Sequence, residues 1–383
     1  MKKTYRKWSI SVVILCLVLI ISIVTLNYVV NPYNIFNSPT FKGFNEQKID
    51  SKVYLLKTKD IANKRPDTIF LGSSRTHQGL DPKFYNKIVG DEAYNLGLSS
   101  ATINVQLKYL EYALKNNPSL KRVIIGLDFE AFNQFGTNPS SFTEKRLLTK
   151  YWNMDDLISN LFTKQAIIDS MHVIQENMKQ ISILTQDSIL ADGSHNEQVL
   201  LNNHQKLLNE GHNRFYEHLQ EYLVNEQLLA KYKLSNKNLD YFKQLVDLCK
   251  ENEIELIVFI QPSHALQWTG IERVGLWNQL EQWKKEIVQI VPVWDFSGYN
   301  SITTTSTENF NTYSDQSHYR KKIGNLIMHR ILQIESKKVP SDFGVYITEK
   351  NIQSHLNNIT ADRDVWIANN PDITQMIDQF IKK

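Results

Sequence analysis

A short apolar run that halts at a glycine and two serines does most to limit what this chain can become. The run is Thr68-Ile69-Phe70-Leu71, and Gly72-Ser73-Ser74-Arg75-Thr76-His77 follows it. β-Branched and aromatic residues over this length read as a buried strand. A parallel strand ending this way delivers small polar side chains to the carboxyl edge of a sheet, where open α/β folds place their ligands. Gly72 permits a sharp turn, and one serine can stand exposed in it as a nucleophile. The plainer alternative is a strand-to-helix loop in which Ser73 or Ser74 caps the next helix.

The pattern recurs. Ala93-Tyr94-Asn95-Leu96 ends in Gly97-Leu98-Ser99-Ser100 and opens a helix from about Thr102 to Lys115. Further strands are expected at Arg122–Phe129, Glu255–Ile260 and Val291–Phe296, with helices around Leu276–Val288 and Lys322–Gln333. Strand–helix alternation of this kind predicts an α/β protein whose parallel sheet is covered by helices on both faces, in three α/β/α layers. Between 138 and 247 the texture turns helical (Leu157–Gln180, Gln198–His218, Asn236–Glu251), with a loop at Leu190–Asn196. This stretch is expected to be a helical insertion over the sheet, placed as a lid would be. The expected organisation is thus a basic flank and anchor over 1–31, a connector over 32–66, and the sheet domain over 67–137 and 248–335. The insertion covers 138–247, and a tail over 336–383 carries one strand-like run, Gly344–Thr348.

Lys2, Lys3, Arg6 and Lys7 precede a run from Trp8 to Val30 that holds no charge. At roughly 1.5 Å per residue it crosses a hydrocarbon core of about 30 Å. The basic flank places the N-terminus in the cytoplasm and all that follows Asn31 outside, as a single-pass protein of the cytoplasmic membrane. A cleaved leader would end in small residues, whereas Leu26-Asn27-Tyr28-Val29-Val30 is bulky. The whole chain of 383 residues is nearly charge-balanced, with 43 Lys+Arg against 40 Asp+Glu, which gives no reason to propose a nucleic-acid partner. Cys16 and Cys249 lie in unrelated contexts and neither has a metal-ligand spacing. Nothing in the sequence asks for a cofactor or a metal, and there is no Gly-rich phosphate loop.

A second stretch, Ser314-Asp315-Gln316-Ser317-His318-Tyr319, supplies what the serine loop lacks. A serine hydroxyl is a weak nucleophile until a base takes its proton, and histidine suits that role near neutrality. The histidine in turn needs a carboxylate to fix its tautomer and stabilise its cation. Asp315 and His318, three apart at the start of a helix, are expected to project from one turn toward Ser74. Backbone N–H groups of Ser74 and Gly97 are the natural oxyanion donors. Arg75 is placed to hold an anionic group of a substrate or a structural carboxylate. His264, after a strand and Pro262, either binds substrate or faces solvent. Trp294, Asp295 and Tyr299 form either a sugar-facing shelf or part of the core.

In the order of these blocks the chain resembles the SGNH (GDSL-like) hydrolase superfamily over about residues 66–335. The resemblance implies a flavodoxin-like sheet, Ser74 as nucleophile, Gly97 as oxyanion donor, and Asp315 with His318 as partners. The family's Asn block, usually Gly-x-Asn-Asp, stands here as Gly126-Leu127-Asp128-Phe129. An ionised Asp128 cannot donate to an oxyanion, so either it is protonated or turned away, or Asn104 or Arg75 substitutes. The chain looks most like membrane-anchored members that act on cell-envelope polymers, such as D-alanyl transfer proteins of teichoic acids and O-acetyltransferases of exopolysaccharides. The activity implied is a serine esterase or O-acyltransferase on an envelope or capsular glycan, with a multi-span membrane protein delivering the acyl group. The alternative is a non-catalytic scaffold of the same fold in a polysaccharide assembly or export complex.

Overall fold

Six strands form one sheet in the order β2-β1-β3-β4-β5-β6: β1 (Thr68–Leu71), β2 (Ala93–Asn95), β3 (Arg122–Leu127), β4 (Glu255–Ile260), β5 (Val293–Asp295) and β6 (Val345–Ile347). The first five run parallel, and β6 closes the edge antiparallel to β5, pairing Trp294 with Tyr346. This is a computed structural model, and it describes residues 2–49, 52–149, 153–180, 188–210 and 213–382. Every residue of β1, and all of β3 after Arg122, is buried at consecutive positions. Consecutive burial means that both faces of the sheet are covered, the reason these runs are apolar rather than alternating. The chain leaves β1 for β2 on one side and returns to β3 on the other. A crevice therefore opens at the carboxyl end of β1, where strand order reverses.

The helices begin where local chemistry allows. Thr102 caps Ile103–Asn116 by accepting from the Val105 N–H, and Ser235 caps Asn236–Glu251 by accepting from the Asn238 N–H. The long helices expected at Leu157–Gln180 and Gln198–His218 are each broken in two. The first is Met154–Leu161 followed by Lys164–Met178, where Thr163 starts a new cap. The second is Glu197–Asn209 followed by Arg214–Val224, recapped by Asn213.

The chain packs as two compact units. One comprises Met1–Asp60 and Thr143–Ser188, the other Ile61–Phe142 and Ile189–Lys383. The insertion expected over 138–247 is thus divided between them. In the first unit the helix Lys2–Val30 includes a stretch, Tyr5–Val30, long and apolar enough to cross a membrane. Its last turns belong to a folded core. Asn27 is fully buried, donates to the Leu161 carbonyl (2.8 Å) and accepts from the Ser170 hydroxyl (2.8 Å). The orphan carbonyls at the helix end are met by side chains: Asn45 donates to Val29 O (2.7 Å) and Lys48 to Val30 O (2.6 Å). Val30 packs with Val173, and Tyr33, Ile35 and Phe36 pack with Leu55 and Leu161. Cys16 and Cys249 are both free thiols.

Candidate active site

β1 ends at Leu71, and Gly72 takes φ +146°, a conformation that side chains disfavour; a Cβ there would also lie 2.1 Å from Thr76 Oγ1. That turn starts the helix Ser74–Gly79, capped by Ser73, whose Oγ accepts from the Arg75 N–H (3.2 Å). Of the two serines, one is spent on the cap and the other stands free of it. Ser74 Oγ lies 2.7 Å from His318 Nε2. His318 Nδ1 lies 2.8 Å from Asp315 Oδ2 and 2.9 Å from Oδ1. With Nδ1–H donated to the carboxylate, Nε2 is left as the bare acceptor for the serine proton.

Asp315 and His318 do not sit on a helical turn, as their spacing suggested, but in a loop ahead of the helix Lys321–Ile331. Asp315 itself folds that loop, its Oδ1 accepting from the N–H groups of Ser317 and His318, both at 2.9 Å. A Tyr313–Tyr319 bridge closes the loop. Gly324 lets the following helix approach the serine helix, since a Cβ there would sit 1.8 Å from the Gly79 carbonyl oxygen. Burial disfavours the Asp315 charge, but His318 and then His218 outweigh it and hold this carboxyl well below the usual range.

Arg75 takes the structural role. Its guanidinium pairs with Asp128 and Glu130, while Nε donates to the Ser317 carbonyl (3.2 Å) and Nη2 to Gln267 Oε1 (3.3 Å). It is 4% exposed, so it is not available to hold a substrate anion. Asp128 is turned to Arg75. Burial pushes its carboxyl up, Arg75 pulls it down, and the neighbouring Glu130 charge adds to the rise. One guanidinium thus faces two carboxyl groups.

Five other expected residues are elsewhere. Gly97 gives its N–H to Asn95 Oδ1 (2.9 Å), and a Cβ on it would press on the His77 backbone nitrogen at 2.5 Å. It serves close packing, not donation to Ser74. His264 is a buried helix cap: Nδ1 accepts from the Leu266 N–H (3.2 Å) and Nε2 donates to the Thr305 carbonyl (2.7 Å). Trp294, Asp295 and Tyr299 form no shelf by the serine. Trp294 packs on Tyr346, Tyr299 on Trp366, and Asp295 is held by Lys284 (2.7 Å) and His355 (2.8 Å).

Burial lowers His264 from 6.5 to about 4. The unfolded chain therefore binds a proton near 6.5 that the fold refuses until about pH 4. Stability is full above the upper value and falls with pH through that window, by about 3 kcal/mol from this group alone. His264→Asn keeps a cap but cannot titrate. In denaturant unfolding between neutral and acid pH, the variant is expected to lose that much of the slope. A slope identical to the parent's would refute the assignment.

A cavity of about 340 Å³ opens on Ser74 and His318, walled by Asp128, Glu130, Tyr222 and Thr102. A second, polar cavity of about 720 Å³ shares the lining residues Thr102, Gly136 and Thr137 with it, so the two adjoin. Asn104 lies in this second cavity rather than beside the nucleophile, with Gln134, Asn138, Asn236, Asn238 and Tyr241. None of its described lining residues is acidic, and Lys233 and Lys237 are the charges present. No local pattern in the chain pointed to Tyr222, His218 or this amide-rich groove. Glu130, two residues after Asp128 at a strand end, was the one visible hint.

No family model matches the chain, and neither does any curated protein.

Proposed function

We propose that the protein is a serine acyl hydrolase or O-acyltransferase of the SGNH kind, acting on a polyhydroxylated polymer of the cell envelope. The observation that carries this reading is the 2.7 Å approach of Ser74 Oγ to His318 Nε2, with Asp315 behind it. Ser74 Oγ adds to the acyl carbonyl as its proton passes to His318 Nε2, and Asp315 stabilises the resulting imidazolium. The imidazolium returns the proton to the departing alkoxide, leaving an acyl ester on Ser74. Water or a sugar hydroxyl, deprotonated by His318, then takes the acyl group and frees the serine. The first-turn N–H of Ser74 is an orphan donor of its short helix and supplies one hydrogen bond to the oxyanion. Amide side chains and a tyrosine along the adjoining groove suit a chain of hydroxyl groups. A strand order of 2-1-3-4-5 is the one flavodoxin-like sheets use, with the ligand at the same reversal point.

A second reading, a non-catalytic scaffold in polysaccharide assembly, is favoured by Gly97 and Asp128, neither of which offers a donor to an oxyanion. A serine-directed fluorophosphonate decides between them. The full chain in detergent should be labelled at Ser74 and should turn over an activated acetyl ester. Absence of both would leave the scaffold.

The N-terminal helix fits an uncleaved anchor with its basic flank in the cytoplasm. Cleavage at the end of this helix, after Val30, would strip Asn27 and Val30 from the core they help to build. Intact-mass measurement of protein from membranes is expected to find the apolar helix retained. A mature terminus beyond about residue 20, past the reach of a spanning helix, would end the anchor reading.

A further inference from the structure

The helix Arg214–Val224 turns one face on the serine site. Arg214, His218, Glu221 and Tyr222 are spaced as one helical face, and Glu221 and Tyr222 line the cavity that holds Ser74. One turn earlier the same face meets the far side of the Asp315 carboxylate. His218 Nδ1 lies 3.4 Å from Asp315 Oδ2, the oxygen that His318 also uses, and an Arg214 terminal nitrogen lies 4.0 Å from it. Asp315 is fully buried, whereas the His218 side chain is 38% exposed. His218 thus offers one nitrogen to the carboxylate from a side chain that is partly open to solvent.

Resting on the proposed reaction, we infer that His218 is a positioning residue: a second imidazole on Asp315 that sets how strong a base His318 is for the Ser74 hydroxyl. A carboxylate that accepts from two imidazoles gives each less than it would give one alone. Neutral His218 draws on Asp315 by one hydrogen bond. Protonated, it adds a positive charge facing the imidazolium that His318 must become, and the two titrations become coupled. The other charges about this pair are Arg214 and Glu221 on the same helix, and Arg320, which senses Glu197, Asp315 and Arg214. His218 and His318 are the two imidazoles that share the Asp315 carboxylate.

The test follows the rate of fluorophosphonate labelling of the full chain in detergent, between about pH 5 and 9. In His218→Phe the acid limb should move up by about half a pH unit, so labelling on that side slows roughly threefold while the alkaline plateau holds. His218→Gln keeps an N–H donor and should restore most of the parental limb. Limbs that superimpose in all three proteins, or a uniform loss at every pH, would overturn the inference and leave His218 a packing residue. The second readout is the histidine ring signals by NMR. Substituting either His218 or His318 should displace the other's titration midpoint, and independent midpoints would again overturn it. A parent that is never labelled, but whose two rings still titrate as a pair, would sink the serine chemistry and spare this inference.

Discussion

Ser74→Ala is expected to lower both ester turnover and phosphonate labelling by about 10⁴-fold or more, with folding stability unchanged. The size follows from the local geometry. His318 Nε2 has its one hydroxyl partner in Ser74, and the neighbouring serine cannot take over. Ser73 is 7% exposed and its Oγ is occupied as the helix cap. Ser73→Ala should therefore register as a lost cap, about 1 kcal/mol, and not as a lost nucleophile. Asp315→Asn should cost about 10⁴-fold through the tautomer alone, because an amide can donate to Nδ1 and turn the wrong ring nitrogen toward Ser74. The pair of serine variants separates the two hydroxyls by kind of effect, stability against rate. A Ser74→Ala protein that hydrolyses at the parental rate would remove the nucleophile assignment, whatever the distances.

How much of this was legible in the sequence depended on the range of each interaction. The strands were legible because burial on both faces leaves no polar residue in Ile69–Leu71 or Val123–Ile125. Ser74, Asp315 and His318 were legible because their chemistry needs those residue types beside a turn, and turns carry local signals. The partners of Arg75 were not. Asp128 and Glu130 lie on the next parallel strand's exit, and only the pairing of β1 with β3 brings them to the serine helix. His264 showed itself as a strand-end residue, but its burial comes from Phe215 and Tyr313, whose rings lie 5.4 Å away on either side. Gly97 was read as a donor because its lack of a side chain permits close approach. It does permit one, to the His77 backbone, and its N–H was already committed two residues back in the chain. His218 depended on helical register within a stretch whose helix broke and restarted at Asn213.

Arg75→Met should destabilise the fold by about 3–5 kcal/mol, because it leaves two carboxylates facing each other out of water. The Asp128 side chain is 1% exposed and that of Glu130 14%, so neither can recover its lost partner by turning to solvent. The sign of the pH dependence separates this from a mere cavity. Burial has already raised Asp128, which means its ionised form opposes folding above the raised value and the opposition fades as pH falls through it. Without Arg75 the Asp128 carboxyl rises further, so the penalty of Arg75→Met should shrink on acidification, whereas a packing defect would persist at every pH. Adding Asp128→Asn to Arg75→Met removes one of the two stranded charges and should recover a large part of the loss. In denaturant unfolding, a cost under about 1 kcal/mol for Arg75→Met, or no recovery in the double variant, would mean that the guanidinium is replaceable there. The expected result also bears on chemistry. Among the described residues lining the Ser74 cavity, Arg75 is the one buried Lys or Arg, and it faces Asp128 and Glu130 where an oxyanion would form. Double variants that regain stability but not turnover would show that this charge serves the reaction as well as the fold.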